Sequence, residues 1–153
     1  MKKVIAIVAL LMIVAQACNT IDVYERTVSF PDHTWRSADS LSFSFEIADS
    51  INPYQAFFVL RHSDAYHYKN IWVDIQVKDP DSTYTVTREF ALANGQQWLG
   101  TGMDDMYDHR IAFSKVPHTL KKGKYSFIVR QIMREDPLQN VWAAGIRMEK
   151  VKQ

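Results

Sequence analysis

One cysteine, Cys18, stands in a chain of 153 residues. A single thiol excludes an intrachain disulfide and any zinc site built on several cysteines, so the fold must hold by packing alone. Net charge is nearly absent too: the formal value is +1, and Lys2 and Lys3 contribute two of the positive charges. With no basic tract, the chain carries no electrostatic footprint for nucleic acid. It has no low-complexity segment, no internal repeat and no convincing helical stripe. The apolar run from Val4 to Ala15 is shorter than the ~20 residues a membrane-spanning helix needs. Catalytic signatures are missing as well. There is no Gly-x-Ser-x-Gly and no His-Glu-x-x-His, and "GTGMDD" lacks both the length and the lysine of a phosphate-cradling loop. No pair of carboxylates stands out for glycoside cleavage. The expectation is a protein without enzymatic activity, cofactor or metal.

What is present begins with "MKKVIAIVALLMIVAQACNT". Two lysines, a short apolar core and small residues at Ala15 and Ala17 have the layout of a secretory signal. A leftover reactive thiol on an exported protein is a liability, and Cys18 falls directly after the expected cut. "VAQAC" resembles a relaxed bacterial lipobox, with Ala15 where leucine is usual. Cys18 is therefore read as a lipidation site. Acyl chains contributing about 0.8 kcal/mol per buried CH₂ would hold the chain to a membrane. The expected organisation is a lipoprotein signal peptide over 1–17, a lipidated N-terminus with a short tether or first strand over 18–30, and one domain over 31–153.

Period-two alternation dominates that domain. In "LSFSFEI", Leu41, Phe43, Phe45 and Ile47 point one way and Ser42, Ser44 and Glu46 the other. "NIWVDIQV" sets Ile71, Val73, Ile75 and Val77 against Trp72, Asp74 and Gln76. "TYTVTREF" sets Tyr84, Val86, Arg88 and Phe90 against threonines. "GKYSFIVRQIM" aligns Tyr125, Phe127, Val129, Gln131 and Met133. "QAFFVLRH" reads as a central strand. "KDPDST" and Asn94-Gly95 are turns. About eight strands predict an all-β fold, a single antiparallel β-sandwich of jelly-roll type, with an immunoglobulin-like order as the alternative.

The polar motifs carry weaker signals. His62 and His67 lie five apart, which shares no strand or helix face, and they read as a polar loop. His33, His109 and His118 read as surface or turn residues. Asp104, Asp105 and Asp108 supply oxygens of the kind calcium takes, without the spacing of an EF-hand, so a solvated loop is the simpler reading. Aromatic residues are more suggestive. Tyr66, Tyr68 and Trp72 cluster in "YHYKNIW", and Trp98 sits in "QQWLGTG". Such rings fill a core, anchor a protein partner or stack on a glycan.

These same segments resemble the gliding-motility lipoprotein GldH family of Bacteroidota. The likeness rests on the N-terminus at Cys18, on "YHYKNIW", on "NGQQWLGTGMDD", and on "GKYSFIVRQIMREDPLQNVWAAGIRME". The chain departs by two glutamines before Trp98 and by Asn140 where glycine is expected. Asparagine best tolerates the left-handed backbone that glycine would take there. The resemblance implies a non-enzymatic accessory lipoprotein of the gliding and type IX secretion machinery. It would be anchored through Cys18, with the outer membrane facing the periplasm as its expected location, and would bind protein partners. Tyr66, Tyr68, Asn70, Trp72, Trp98 and Arg134 are the candidate contact or scaffold residues, with Arg134 expected to pair with a nearby acid. The alternative is an envelope carbohydrate-binding module, which needs Tyr66, Trp72 and Trp98 exposed on one platform.

Overall fold

A computed structural model describes residues 22–152, in which every regular element is a β-strand. The segment read as a signal peptide, 1–17, and Cys18 lie outside the described residues. Along the chain come β1 (Val23–Ser29), β2 (Thr34–Trp35), β3 (Leu41–Ile47), β4 (Pro53–Ser63), β5 (Asn70–Lys78), β6 (Thr83–Ala91) and β7 (Ala93–Asn94). They are followed by β8 (Gln97–Trp98), β9 (Thr101–Met103), β10 (Met106–Ala112), β11 (His118–Thr119), β12 (Gly123–Gln131), β13 (Leu138–Gln139) and β14 (Val141–Lys150).

The larger sheet has the order β1-β14-β4-β10-β9, with β11 also pairing β4; the smaller has β3-β12-β5-β6. β1, β3, β4, β5, β6, β10, β12 and β14 are the long strands. Counted along the chain, they lie in the orders 1-8-3-6 and 2-7-4-5, the two interlocked Greek keys of a jelly roll. A constant-type immunoglobulin order would put the first and last strands in different sheets. Here β1 and β14 pair along their length, from Val23–Glu149 to Ser29–Ala143.

Alternation maps onto burial. Leu41, Phe43, Phe45 and Ile47 are buried while Ser42, Ser44 and Glu46 are exposed. Ile71, Val73, Ile75 and Val77 are likewise buried from β5. "QAFFVLRH" is a central strand, β4, between β14 and β10, and its Phe58 stacks on Phe90 at 4.8 Å. The turns behave as their residues dictate. The Asp79 carboxylate accepts from the amides of Asp81 (2.8 Å) and Ser82 (2.7 Å), closing the β5–β6 hairpin. Asn140 adopts φ 63°, the left-handed geometry that its place in the sequence predicts.

The outer face of the larger sheet is tied by charge. Glu25 of β1 accepts from Arg110 of β10 (2.8 and 3.0 Å) and from Arg147 of β14 (2.9 Å). The Arg110 hydrogen bonds hold its carboxyl below the usual range, with Arg147 adding to the effect. This lattice spans β14 and β4, where Gly145 and Val59 stand in the row that ends at Arg110.

Candidate functional site

The smaller sheet brings two distant motifs together. β12 pairs β5 antiparallel, so the end of β12 meets the start of β5, and Gln131 stands opposite Val73. Beyond that pair the Ile132 amide donates to the Trp72 carbonyl (3.0 Å) and the Trp72 amide to Met133 Sδ (3.2 Å). "YHYKNIW" and "RQIMRED" thus share one shallow groove, lined by Tyr68, Asn70, Trp72, Ile132, Met133 and Arg134. Trp72 is 39% exposed and Ile132 37%, and Arg134 is exposed. An accessible indole beside an aliphatic and a guanidinium is the composition of an interaction hot spot.

Polar contacts hold the groove's rim in place. The Gln131 side chain is fully buried; its Oε1 accepts from the Met133 amide (2.7 Å) and its Nε2 donates to the Trp35 carbonyl (3.2 Å). The Asp136 carboxylate accepts from the Ser37 amide (2.9 Å). Asn70 Nδ2 donates to Glu89 at 2.6 Å. Arg134 departs from expectation: it has no ion pair among the described residues, and its neighbour Glu135 meets His67 at 3.1 Å instead. Arg134 lies past the end of β12 and is exposed to solvent.

Tyr66 and Trp98 do not join this groove. Tyr66 is buried at 4% exposure, and its hydroxyl donates to the Asn70 carbonyl (3.1 Å). Trp98 is half-buried, its ring edge-on to His62 at 4.5 Å. Tyr66, Trp72 and Trp98 therefore form no single platform for stacking on a sugar.

The centre of this second cluster is a pair of histidines, and both are corrections to the sequence reading. His62 is not in a polar loop; it lies on the inner face of β4 and is fully buried. His109 is not a surface residue; it is 2% exposed on β10. The alternations Phe58–Leu60–His62 and Tyr107–His109–Ile111 carried the signal, since each histidine continues an inward row. Their Nε2 atoms lie 2.9 Å apart, and His62 Nδ1 lies 2.7 Å from the Ser63 carbonyl. A carbonyl only accepts, so His62 carries its proton on Nδ1, and His109 donates from Nε2. Burial lowers the pKa of both, that of His109 to about 4, with the neighbouring His62 adding to the effect.

This cluster also explains the glycines of "WLGTG". A Cβ on Gly100 would fall 2.8 Å from His109 Nε2 and 2.6 Å from the Asp108 carbonyl; one on Gly102 would fall 2.9 Å from Tyr107 Cε1. The strand passes too close to those rings for a side chain. The acidic loop beside it gathers no cation site. Asp108 is committed to Arg61 through two hydrogen bonds (2.6 and 2.9 Å), and Asp104 occupies a left-handed turn position at φ 56°. No three His, Cys, Asp or Glu side chains come together as ligands among the described residues.

The family model described as "GldH lipoprotein" matches residues 22–148, nearly the whole sandwich. The chain belongs to the GldH lipoprotein family. It is 25% identical over 149 residues to the gliding motility lipoprotein GldH homolog of Christiangramia forsetii, covering 91% of this chain and 90% of the relative. It is 23% identical over 156 residues to the gliding motility lipoprotein GldH of Flavobacterium johnsoniae, covering 96% and 94%. Among solved structures, a carbohydrate-binding module specific for non-crystalline cellulose aligns with 85% of this chain and 73% of its own. At 13% identity and a TM-score of 0.40, that likeness carries no argument about ligands.

Proposed function

We propose that this member of the GldH lipoprotein family is a non-enzymatic accessory component of the gliding motility and type IX secretion machinery. It acts through protein–protein contacts in the cell envelope. Cys18 carries the lipid, and the sandwich faces the periplasm from the outer membrane. The observation that carries the contact reading is the groove in which Tyr68, Asn70, Trp72 and Arg134 converge with Ile132 and Met133. The names of the two relatives support the gliding role. Tyr66 and Trp98 serve this surface from beneath, as packing for the segment that leads into β5. The burial of Tyr66 and half-burial of Trp98 weigh against a glycan platform built on three rings.

Replacing Cys18 by alanine is expected to move the protein from the membrane to the soluble fraction and to impair gliding or type IX export. Normal motility and export in that strain, and in a deletion strain, would sink the proposal. Trp72→Ala is expected to lower the melting temperature by only a few degrees, because the residue is 39% exposed, while weakening partner association by about 2 kcal/mol. Crosslinking in living cells from position 68, with and without that substitution, measures it. An unchanged crosslinking pattern would remove Trp72 from the contact surface.

A further inference from the structure

An edge strand leaves one row of backbone N–H and C=O groups without a ladder partner, and proteins blunt such edges with proline, bulges, lysine or brevity. β6 uses none of these; the one such device it carries is an inward-pointing charge, Arg88. It is the outermost strand of the smaller sheet and runs nine residues without proline or lysine. Its register with β5 is unbroken, from Thr83–Lys78 to Ala91–Asn70.

The inner side of β6 is also uncovered. Tyr84, Val86 and Arg88 stand opposite Val77, Ile75 and Val73, so they point toward the larger sheet. Those β5 partners are buried, yet Tyr84 is 49% exposed, Val86 half-buried and Arg88 exposed. β3, at the other edge of the same sheet, seals all of its inward side chains. Between β6 and the segment after β10 opens a cleft of about 260 Å³ that reaches Ala56, Phe113 and Leu120. No acidic residue lines it; Arg88 stands on one lip and His118 on the other. Arg88 has no ion pair among the described residues.

We propose that β6 is a docking edge for an extended segment of a partner protein. The segment adds to the smaller sheet as its next strand and sets an apolar-x-apolar-x-acidic row beside Tyr84, Val86 and Arg88. Three features meet in this occupant. The free backbone row calls for another backbone. The period-two inner row calls for alternating side chains. A free guanidinium beside an acid-free cleft calls for a carboxylate. An anionic amphiphile would fill the cleft and meet Arg88 but would leave the backbone row unpaired. The inference rests on the reading that this protein works through protein contacts, and it names the mode of one of them.

The test uses the full chain in detergent and two labelled peptides, Thr-Val-Thr-Val-Thr-Glu-Thr and the same residues in reverse order, for parallel and antiparallel addition. One of them is expected to bind and to slow hydrogen exchange at the free-edge amides of β6. Changing its glutamate to lysine is expected to weaken binding about tenfold, and Arg88→Glu to invert that preference. Val86→Lys, which sets a charge on the inner row, is expected to abolish binding; unchanged melting temperatures of both variants show that the fold is intact. No binding by either peptide, equal binding of the glutamate and lysine versions, or dodecanoate binding without any slowing of β6 amides by peptide would each overturn the proposal. If the peptides fail while Cys18→Ala still impairs gliding, the accessory-lipoprotein reading stands and only this docking mode is lost.

Discussion

Between pH 7 and pH 4.5 the domain is expected to lose about 2–3 kcal/mol of stability through its buried histidine pair, the amount set by His109 moving from 6.5 to about 4. The cause is burial first, with the neighbouring His62 adding to it at His109. With His62 Nδ1 donating to the Ser63 carbonyl and His109 Nε2 donating to His62 Nε2, one lone pair lies between the rings. A proton added at His62 Nε2 would set two N–H groups against each other at 2.9 Å, and one added at His109 Nδ1 would charge a ring that is 2% exposed. The folded state therefore keeps both rings neutral, while the unfolded chain takes up protons below about 6.5. Because the unfolded state binds more protons in that window, stability is complete above it and falls as the pH falls. Carboxylates held low by arginines, such as Glu25 and Asp108, act at lower pH still. Urea midpoints measured at half-unit steps should show the slope, and His109→Gln should flatten it. Parallel profiles for the two proteins would refute the account.

Gly145→Val is expected to cost at least about 3 kcal/mol and to release β1 from the larger sheet. A Cβ at that position would lie 2.0 Å from the Arg26 carbonyl oxygen and 2.7 Å from Thr27 Cα. Both are backbone atoms of the neighbouring strand, so no rotamer change relieves the clash; the strand itself must move. Movement there has wide consequences. β1 carries Glu25, which binds Arg110 and Arg147, and Tyr24, whose ring lies 5.2 Å from that of Phe45 across the sandwich. Hydrogen exchange should accelerate over Val23–Ser29 and remain slow in β5 and β12. A loss within 0.5 kcal/mol, or uniform acceleration across both sheets, would show that β1 does not depend on this contact.

Much of the candidate site was legible as composition and little of it as position. "YHYKNIW" and "RQIMRED" were recognisable as unusual segments, but sixty residues separate Trp72 from Ile132. Only the β5–β12 pairing makes them neighbours, and strand pairing is a non-local choice that alternation does not encode. Tyr66 and Trp98 were grouped with Trp72 because aromatic residues serve cores and surfaces equally well. The inner row of β6 shows the same limit. Tyr84, Val86, Arg88 and Phe90 do share one face, yet only Phe90 is buried, because the opposing sheet ends short of the others.

By itself the sequence determined the strands, their inward faces and the main turns. Those follow from a side-chain period of two and from the conformations that Asp79 and Asn140 favour. Tertiary structure alone decided the jelly-roll order, the meeting of His62 with His109, the groove at Trp72 and the open flank of β6. Each depends on which strands lie side by side and on where one sheet stops covering the other. Those choices come from packing the whole set of strands at once, and no single segment contains them.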